Sequence, residues 1–424
     1  MILLIVSHLL LFYVSLAQDV TLTTLFQTST VSLPTPTPMN IVSDARCLPG
    51  CVWDRYSLKV SSMKYFPTFC ETVCAETTFT IDNKCDMTEI QLNETLKNMK
   101  HLIGGLTIRD TNFASARYLA NLESIDCLGL SRFLVFVFMN GNLEEMGMAN
   151  LRNVSCAISI SSNANMTKLN TPNLVPTAWN VTNSTFLITI SDSSPEFCIT
   201  HQEMANLITY GYVRLWNVAG QYCPISSSIT SSEKKTCDLQ NSTWSGTNID
   251  CVNVLGDVII DENNEQYAGN LASVETIFGS LSINETSLRS VNFLGSLKRI
   301  ISLTEDQRAL TVEGNTLMTN VTLPSIEKVY ARSFTSIQFD NNSLELVKDP
   351  SFCYGIRNNI ELYHFRIVLF DDKSCGEFLT YFFFGFVYIT EEVQRYADTL
   401  KSSKRNFLNP VLIALALVGA VINS

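Results

Sequence analysis

Cysteine thiols and asparagine amides are the groups whose number and spacing could carry chemistry in this 424-residue chain. The 13 cysteines are Cys47, Cys51, Cys70, Cys74, Cys85, Cys127, Cys156, Cys198, Cys223, Cys237, Cys251, Cys353 and Cys375. In an exported chain such thiols oxidise to disulfides. The odd count leaves one thiol free, buried or joined to another chain, so a disulfide-linked dimer stays open. Zinc is the competing chemistry for Cys47-x3-Cys51 and Cys70-x3-Cys74, but zinc ribbons space their ligands as Cys-x2-Cys, and oxidation is expected. Nine Asn-x-Ser/Thr sequons stand at Asn93, Asn153, Asn165, Asn180, Asn183, Asn241, Asn284, Asn320 and Asn341. Nine together predict an exported glycoprotein with those positions on its surface.

Other chemistry is thin. Histidine occurs only at His8, His101, His201 and His364, too few for a histidine-rich metal site. Nucleophile elbows, His-Glu-x-x-His helices, phosphate loops and dinucleotide fingerprints do not occur. The pairs Asp371-Asp372 and Glu391-Glu392 are adjacent, so on a regular element they point apart. No catalytic residue, cofactor or metal is expected. Lys and Arg number 29 against 40 Asp and Glu, a net charge of -11, which argues against binding a nucleic-acid backbone.

The ends read as processing signals. Met1 to Ala17 is apolar and closes on small residues, the pattern of a secretory signal cleaved after Ala17. The C-terminal run from Phe407 to Val421 would span about 22 Å as a helix against roughly 30 Å of hydrocarbon. Lys401, Lys404 and Arg405 precede it and nothing basic follows, the wrong polarity for a span entering from outside. A cleaved glycolipid-anchor signal fits better, with Ala397-Asp398-Thr399 as attachment region. A short single-pass helix and a peripheral segment are the alternatives. The localisation expected is the extracellular side of the plasma membrane, or secretion.

Between the ends, residues 18–46 form a Ser/Thr/Pro-rich linker, 47–84 a small cysteine-rich lead-in, and 226–236 a second linker. The segments 85–225 and 237–375 repeat. Leu96 to Ile125 aligns without a gap to Leu271 to Ile300 at an offset of 175 residues, with nine identities. They include Gly104/Gly279, Leu106/Leu281, Ile108/Ile283 and Thr111/Thr286. SPEFC ending at Cys198 echoes DPSFC ending at Cys353. With Cys223 and Cys375 following at similar distances, and Cys237 and Cys251 opening the second half, these six are the disulfide candidates. Cys127 and Cys156 fall inside the repeat and are left unassigned. Within the second half, strand-like pieces recur at DVII (257–260), SLSI (280–283), ALTV (309–312) and TSIQF (335–339), with further pieces between them. A strand every two dozen residues with turn-rich connections predicts a solenoid; a β-sandwich is the alternative. Residues 376–406 form a C-terminal extension, in which FLTYFFFGFVYI is expected to pack over the last coil, with a membrane-associated piece as the alternative, and 407–424 the anchor or anchor signal.

The segments Ile103 to Ile108 and Ile277 to Ile283, the following Asn112 to Ile125 and Ser287 to Ile300, and the cysteine caps resemble the receptor L domain, the ligand-binding module of insulin and epidermal growth factor receptors. The likeness is greatest to nematode-type proteins with paired L domains and no kinase. It implies a mostly β fold of two tandem right-handed parallel β-helix domains with disulfide caps. It further implies a non-enzymatic surface or secreted glycoprotein that binds a secreted peptide, a protein or another ectodomain, as receptor-like protein, co-receptor or decoy. An adhesive matrix glycoprotein is the alternative, and a carbohydrate-active β-helix enzyme the minor one. An apolar sheet face free of sequons would favour the binding reading. Tyr118, Phe136, Tyr267 and Tyr330 are candidate exposed aromatics, although Phe136 in FLVFVF reads as core, and no binding residue is assigned.

Overall fold

Alternation of apolar and polar residues at period two makes half-buried strands, and the burial follows it residue by residue. In Leu106–Arg109, Leu106 and Ile108 are buried while Thr107 and Arg109 are half-buried. The computed structural model describes residues 41–374, except 131–133, 178–185, 211, 226–234, 241–243, 247–249, 334, 344–345, 347–366 and 371–372. The expected signal segment, Ser/Thr/Pro linker, Cys353, Cys375, C-terminal extension and anchor region lie outside the described residues.

Mostly β structure results, organised in parallel sheets. In the first half the chain alternates between two six-stranded sheets. The narrow sheet runs Val52–Trp53, Thr72–Ala75, His101–Ile103, Ser124–Asp126, Asn153–Val154 and Val175–Pro176. The broad sheet runs Phe79–Ile81, Leu106–Arg109, Leu134–Phe138, Ala157–Ser161, Phe186–Ser191 and Val213–Val218. Every pairing in both is parallel. The second half repeats the plan. Its broad sheet runs Val258–Ile260, Leu281–Asn284, Leu310–Glu313, Thr335–Asp340 and Ile367–Phe370, closed by antiparallel Lys373–Ser374. The four strand-like pieces read from the sequence therefore fall within about one residue of observed strands.

The corners explain why the strands stack in register. Asp110, Met139, Ser162 and Asp192 end successive strands of the first broad sheet with φ between 52° and 57°, a left-handed conformation that turns the chain sharply. Just past the corner stands a buried asparagine. Asn140 Nδ2 donates to the carbonyls of Ile108 (3.0 Å) and Phe138 (3.2 Å) and to Asn163 Oδ1 (3.0 Å). Thr111 donates to Asn140 Oδ1 from its backbone N–H (3.0 Å) and its hydroxyl (2.8 Å). Asn163 continues inward by donating to the Val137 carbonyl. Asn315 does the same in the second half, donating to Ile283 and Glu313 carbonyls and to Asn342 Oδ1 while accepting from Thr286. A ladder of amides thus satisfies corner groups that no strand can reach, as burial demands.

Five disulfides clamp the described coils: Cys47–Cys74, Cys51–Cys70, Cys127–Cys156, Cys198–Cys223 and Cys237–Cys251. Cys127 and Cys156, unassigned from the sequence, are bonded across neighbouring coils. Cys85 is the free thiol among the described residues, and its half-buried setting pushes its pKa up by desolvation.

Glu145 ties three coils on a third side through bridges to Ser115 and Lys168. Burial opposes its ionisation, but the hydrogen bond from Asn170 (2.8 Å), the Arg117 guanidinium and the Ser115 hydroxyl outweigh it and hold the carboxyl below the usual glutamate range. A depressed pKa stabilises the fold above the ordinary glutamate value, and the contribution vanishes as pH falls through the folded one. Glu145→Gln should therefore cost about 1–2 kcal/mol at neutral pH and progressively less as the pH falls below the ordinary glutamate range, as read by urea unfolding across an acid pH series.

The two halves share a buried junction. The second narrow sheet runs Thr236–Asp238, Asn253–Leu255, Thr276–Phe278, Arg299–Ile301 and Lys328–Tyr330. Its middle residues Val254, Ile277, Ile300 and Val329 face the second core, whereas Leu255, Phe278, Ile301 and Tyr330 join the core of the first half. Tyr222 and His201 set their rings edge-on to Phe278 at 5.5 and 5.9 Å. The Val218 N–H donates to Tyr330 Oη (2.8 Å), Tyr222 Oη donates to the Ile301 carbonyl (3.0 Å), and Lys328 Nζ donates to the carbonyls of Val213 (2.7 Å) and Tyr210 (3.3 Å).

Candidate functional site

The outward side of the first broad sheet is built by the residues that alternate with its buried ones. Thr107 and Arg109, Phe136 and Phe138, Ser159 and Ser161, Leu187 and Thr189, and Arg214 take these positions on successive strands. Phe136 pairs across with Thr107 and Ser159, and Phe138 with Arg109 and Ser161. The two phenylalanine rings stack at 5.2 Å. At the edge by the N-terminal cap, Arg109 Nη2 donates to the Tyr56 hydroxyl (3.0 Å).

At the other edge the register slips between Ile188 and Thr189, whose partners are Leu215 and Asn217. Trp216 is the extra residue of this bulge and is 46% exposed; bulges re-aim side chains in this way. Leu187 on the neighbouring strand is also exposed. Ala157, Ser159 and Ser161 are small, so the register leaves a shallow trough about 10 Å wide between the phenylalanine pair and Leu187 with Trp216. The surface combines aromatic anchors, two guanidinium groups and hydroxyls on a rigid parallel sheet. It can bury a polypeptide without ordering a loop.

Of the aromatics singled out in the sequence, this face contains only Phe136, and it lies there rather than in the core. Tyr118 is buried against Phe113, and Tyr330 is buried in the junction between the halves. Tyr267 is exposed but stands in the second half. The sequence reading missed Phe138, Leu187 and Trp216. One signal was available: at the 175-residue offset Phe136 and Phe138 align with Thr311 and Glu313, polar residues that belong on an outer face.

Sequons scatter over the other surfaces. Asn93 lies on the helix Glu89–Leu96, Asn153 on the outside of the first narrow sheet, Asn165 in a loop and Asn320 on the third side of the second half. Asn284 ends a strand of the second broad sheet and Asn341 follows the strand Thr335–Asp340. Asn180, Asn183 and Asn241 fall outside the described residues. Among described residues the outer face of the first broad sheet carries no sequon. Cys198 is bonded to Cys223 and Cys237 to Cys251.

The model of the Receptor L domain family matches residues 70–172 and 250–358, together half of the chain. The chain belongs to the Receptor L domain family. Each matched stretch covers the central strands of one set of paired parallel sheets. No curated protein matches the chain. The L domain is a non-catalytic module, consistent with a non-enzymatic protein. Among the described residues no group of three His, Cys, Asp or Glu side chains is placed to hold a metal ion, and no helix is long and apolar enough to cross a membrane.

Proposed function

We propose that this protein binds a secreted polypeptide or another ectodomain through the outer face of its first broad sheet, as a receptor-like protein, co-receptor or decoy. The observation that carries the reading is the stacked Phe136–Phe138 pair facing Leu187 and Trp216 across a trough free of sequons among the described residues. Arg109 and Arg214 on the same face favour a ligand that brings carboxylates beside an apolar anchor. In this reading each half closes as a right-handed solenoid. A Cys353–Cys375 bond would end the second as Cys198–Cys223 ends the first. That pairing would leave Cys85 as the odd thiol, and its burial disfavours a disulfide-linked dimer. A glycolipid attached near Ala397-Asp398-Thr399 would hold the protein on the outer surface of the cell.

The test is a panel of tagged secreted proteins applied to cells that display the full chain. A ligand should be captured, and Phe138→Ser combined with Trp216→Ser should weaken it by roughly 100-fold, as expected for truncated hot-spot aromatics. Tyr267→Ser, an exposed control in the second half, should leave binding unchanged. Capture that survives the double substitution would overturn the assignment of the face. Self-association without capture would favour the adhesive matrix reading instead.

A further inference from the structure

We propose that Asn284 carries an N-linked glycan that closes the broad face of the second L domain, leaving the first domain as the only one able to use that face; the consequence for binding rests on the function proposed above. Leu281 and Ile283 point into the core, so Ser282 and Asn284 stand on the outer side of the sheet. The Ser282 hydroxyl donates to Asn284 Oδ1 (3.0 Å). That bond holds the amide by its oxygen, and Nδ2, the atom that takes a glycan, has no hydrogen-bond partner among the described residues. Asn284, the last residue of its strand, pairs with Glu313, and Ser282 pairs with Thr311 on one side and Ile259 on the other.

Comparison of the halves isolates the change. The first half reads Arg109-Asp110-Thr111 where the second reads Asn284-Glu285-Thr286. The threonine is required in both, because Thr111 and Thr286 each donate twice to the ladder asparagine. Arg109 contributes to the open face beside Tyr56, whereas the asparagine at the matching position completes a sequon. A second sequon, Asn341, lies exposed at the corner of the same sheet. Strands lie about 4.8 Å apart, so a branched glycan rooted at Asn284 covers its neighbours, including Thr311 and the exposed Ile259. Thr286 is buried in the folded chain, so transfer must precede folding. Asn284 Nδ2 attacks the anomeric carbon of a lipid-diphosphate-linked oligosaccharide. The N–C bond forms, the C–O bond to the diphosphate breaks, and the amide loses one proton as the lipid diphosphate leaves.

The full chain, produced in animal cells, is treated with a peptide N-glycosidase in heavy-oxygen water, and Asn284 is mapped by mass spectrometry. Occupancy appears as heavy-labelled aspartate at that position. Thr311→Cys and Ser159→Cys variants are then labelled with a bulky polyethylene-glycol maleimide and read site by site. Thr311→Cys should react roughly tenfold more slowly before deglycosylation than after it, while Ser159→Cys reacts equally in both states. N284Q, which spares Thr286, should reproduce the fast rate. Hydroxyl-radical footprinting of Ile259 and Phe138 in the unmodified sequence gives the same comparison without a new thiol. An unoccupied Asn284, or second-face labelling and footprints that ignore the glycosidase, would overturn the proposal. None of these readouts involves a ligand, so failure of the first face to bind would leave them unchanged.

Discussion

Asn140→Ala is expected to remove about 3–5 kcal/mol of folding stability, the largest loss from any single polar residue of the first half. The side chain has no exposed surface. Its loss leaves both Thr111 donors without their acceptor and removes the amide donor from the Ile108 carbonyl, the Phe138 carbonyl and Asn163 Oδ1, the last two keeping only the Asp110 and Asn140 backbone N–H groups. Each buried group left unpaired costs about 1–3 kcal/mol, partly relieved by relaxation or an entering water. Asn315→Ala should cost a similar amount in the second half, because it holds the same five groups. Asn142→Ala, two residues from Asn140 but exposed, should cost under about 0.5 kcal/mol. Asn140→Asp discriminates the mechanism. It keeps an acceptor for Thr111 but buries a carboxylate, so its deficit should shrink as pH falls and the group protonates. Urea midpoints of the secreted protein at neutral and acid pH measure all four. A ladder variant within about 0.5 kcal/mol of the parent would show that the amides do not hold the corners.

Phe278→Ala should cost about 3–5 kcal/mol and split thermal unfolding into two transitions. Phe278 belongs by chain to the second half but is buried with Tyr222 and His201 of the first. Its ring is the central contact of a row that also contains Leu255, Ile301 and Tyr330. Calorimetry of the parent should show the halves melting together, because neither can leave without exposing that row. Tyr330→Phe is the milder companion. It deletes the oxygen that accepts from the buried Val218 N–H and should cost about 1–3 kcal/mol. Lys328 sits beside it as a buried ammonium donating to two first-half carbonyls. If Phe278→Ala destabilised the second half alone, with the first melting as before, the junction would be a contact without energetic coupling.

The coupling bears on the proposed asymmetry of the faces. Through the junction, the open face of the first domain and the sequon-bearing face of the second are displayed on one body rather than on two swivelling modules. A ligand on the first face would meet the second domain in a constant orientation, where contacts outside the closed face could add to affinity or discriminate between partners.

Much of this architecture is legible in the chain itself. Strands and their spacing follow from β-branched alternation broken by Asn and Gly, because the period-two pattern and the turn residues are local properties of sequence. Duplication follows from the gapless 175-residue match, and the family from the same glycine, leucine and threonine positions. Which side of a strand meets the core is another matter. In Leu134–Phe138 both alternating sets are apolar, so the pattern is silent. Only the stacked sheets turn Val135 and Val137 inward and set Phe136 and Phe138 outside. The same ambiguity hid the junction, since Thr276–Phe278 and Arg299–Ile301 end in apolar residues that read as one core but serve two. Asn140, followed by glycine, reads as an ordinary turn residue, and Cys127 and Cys156 stay unassigned within a repeat. Their partners lie 23 to 32 residues away on adjacent coils. Sequence thus determined the coils and their number of copies through local preference. Tertiary structure alone decided which face each coil presents and what stands against it, because that depends on neighbours that are remote in the chain.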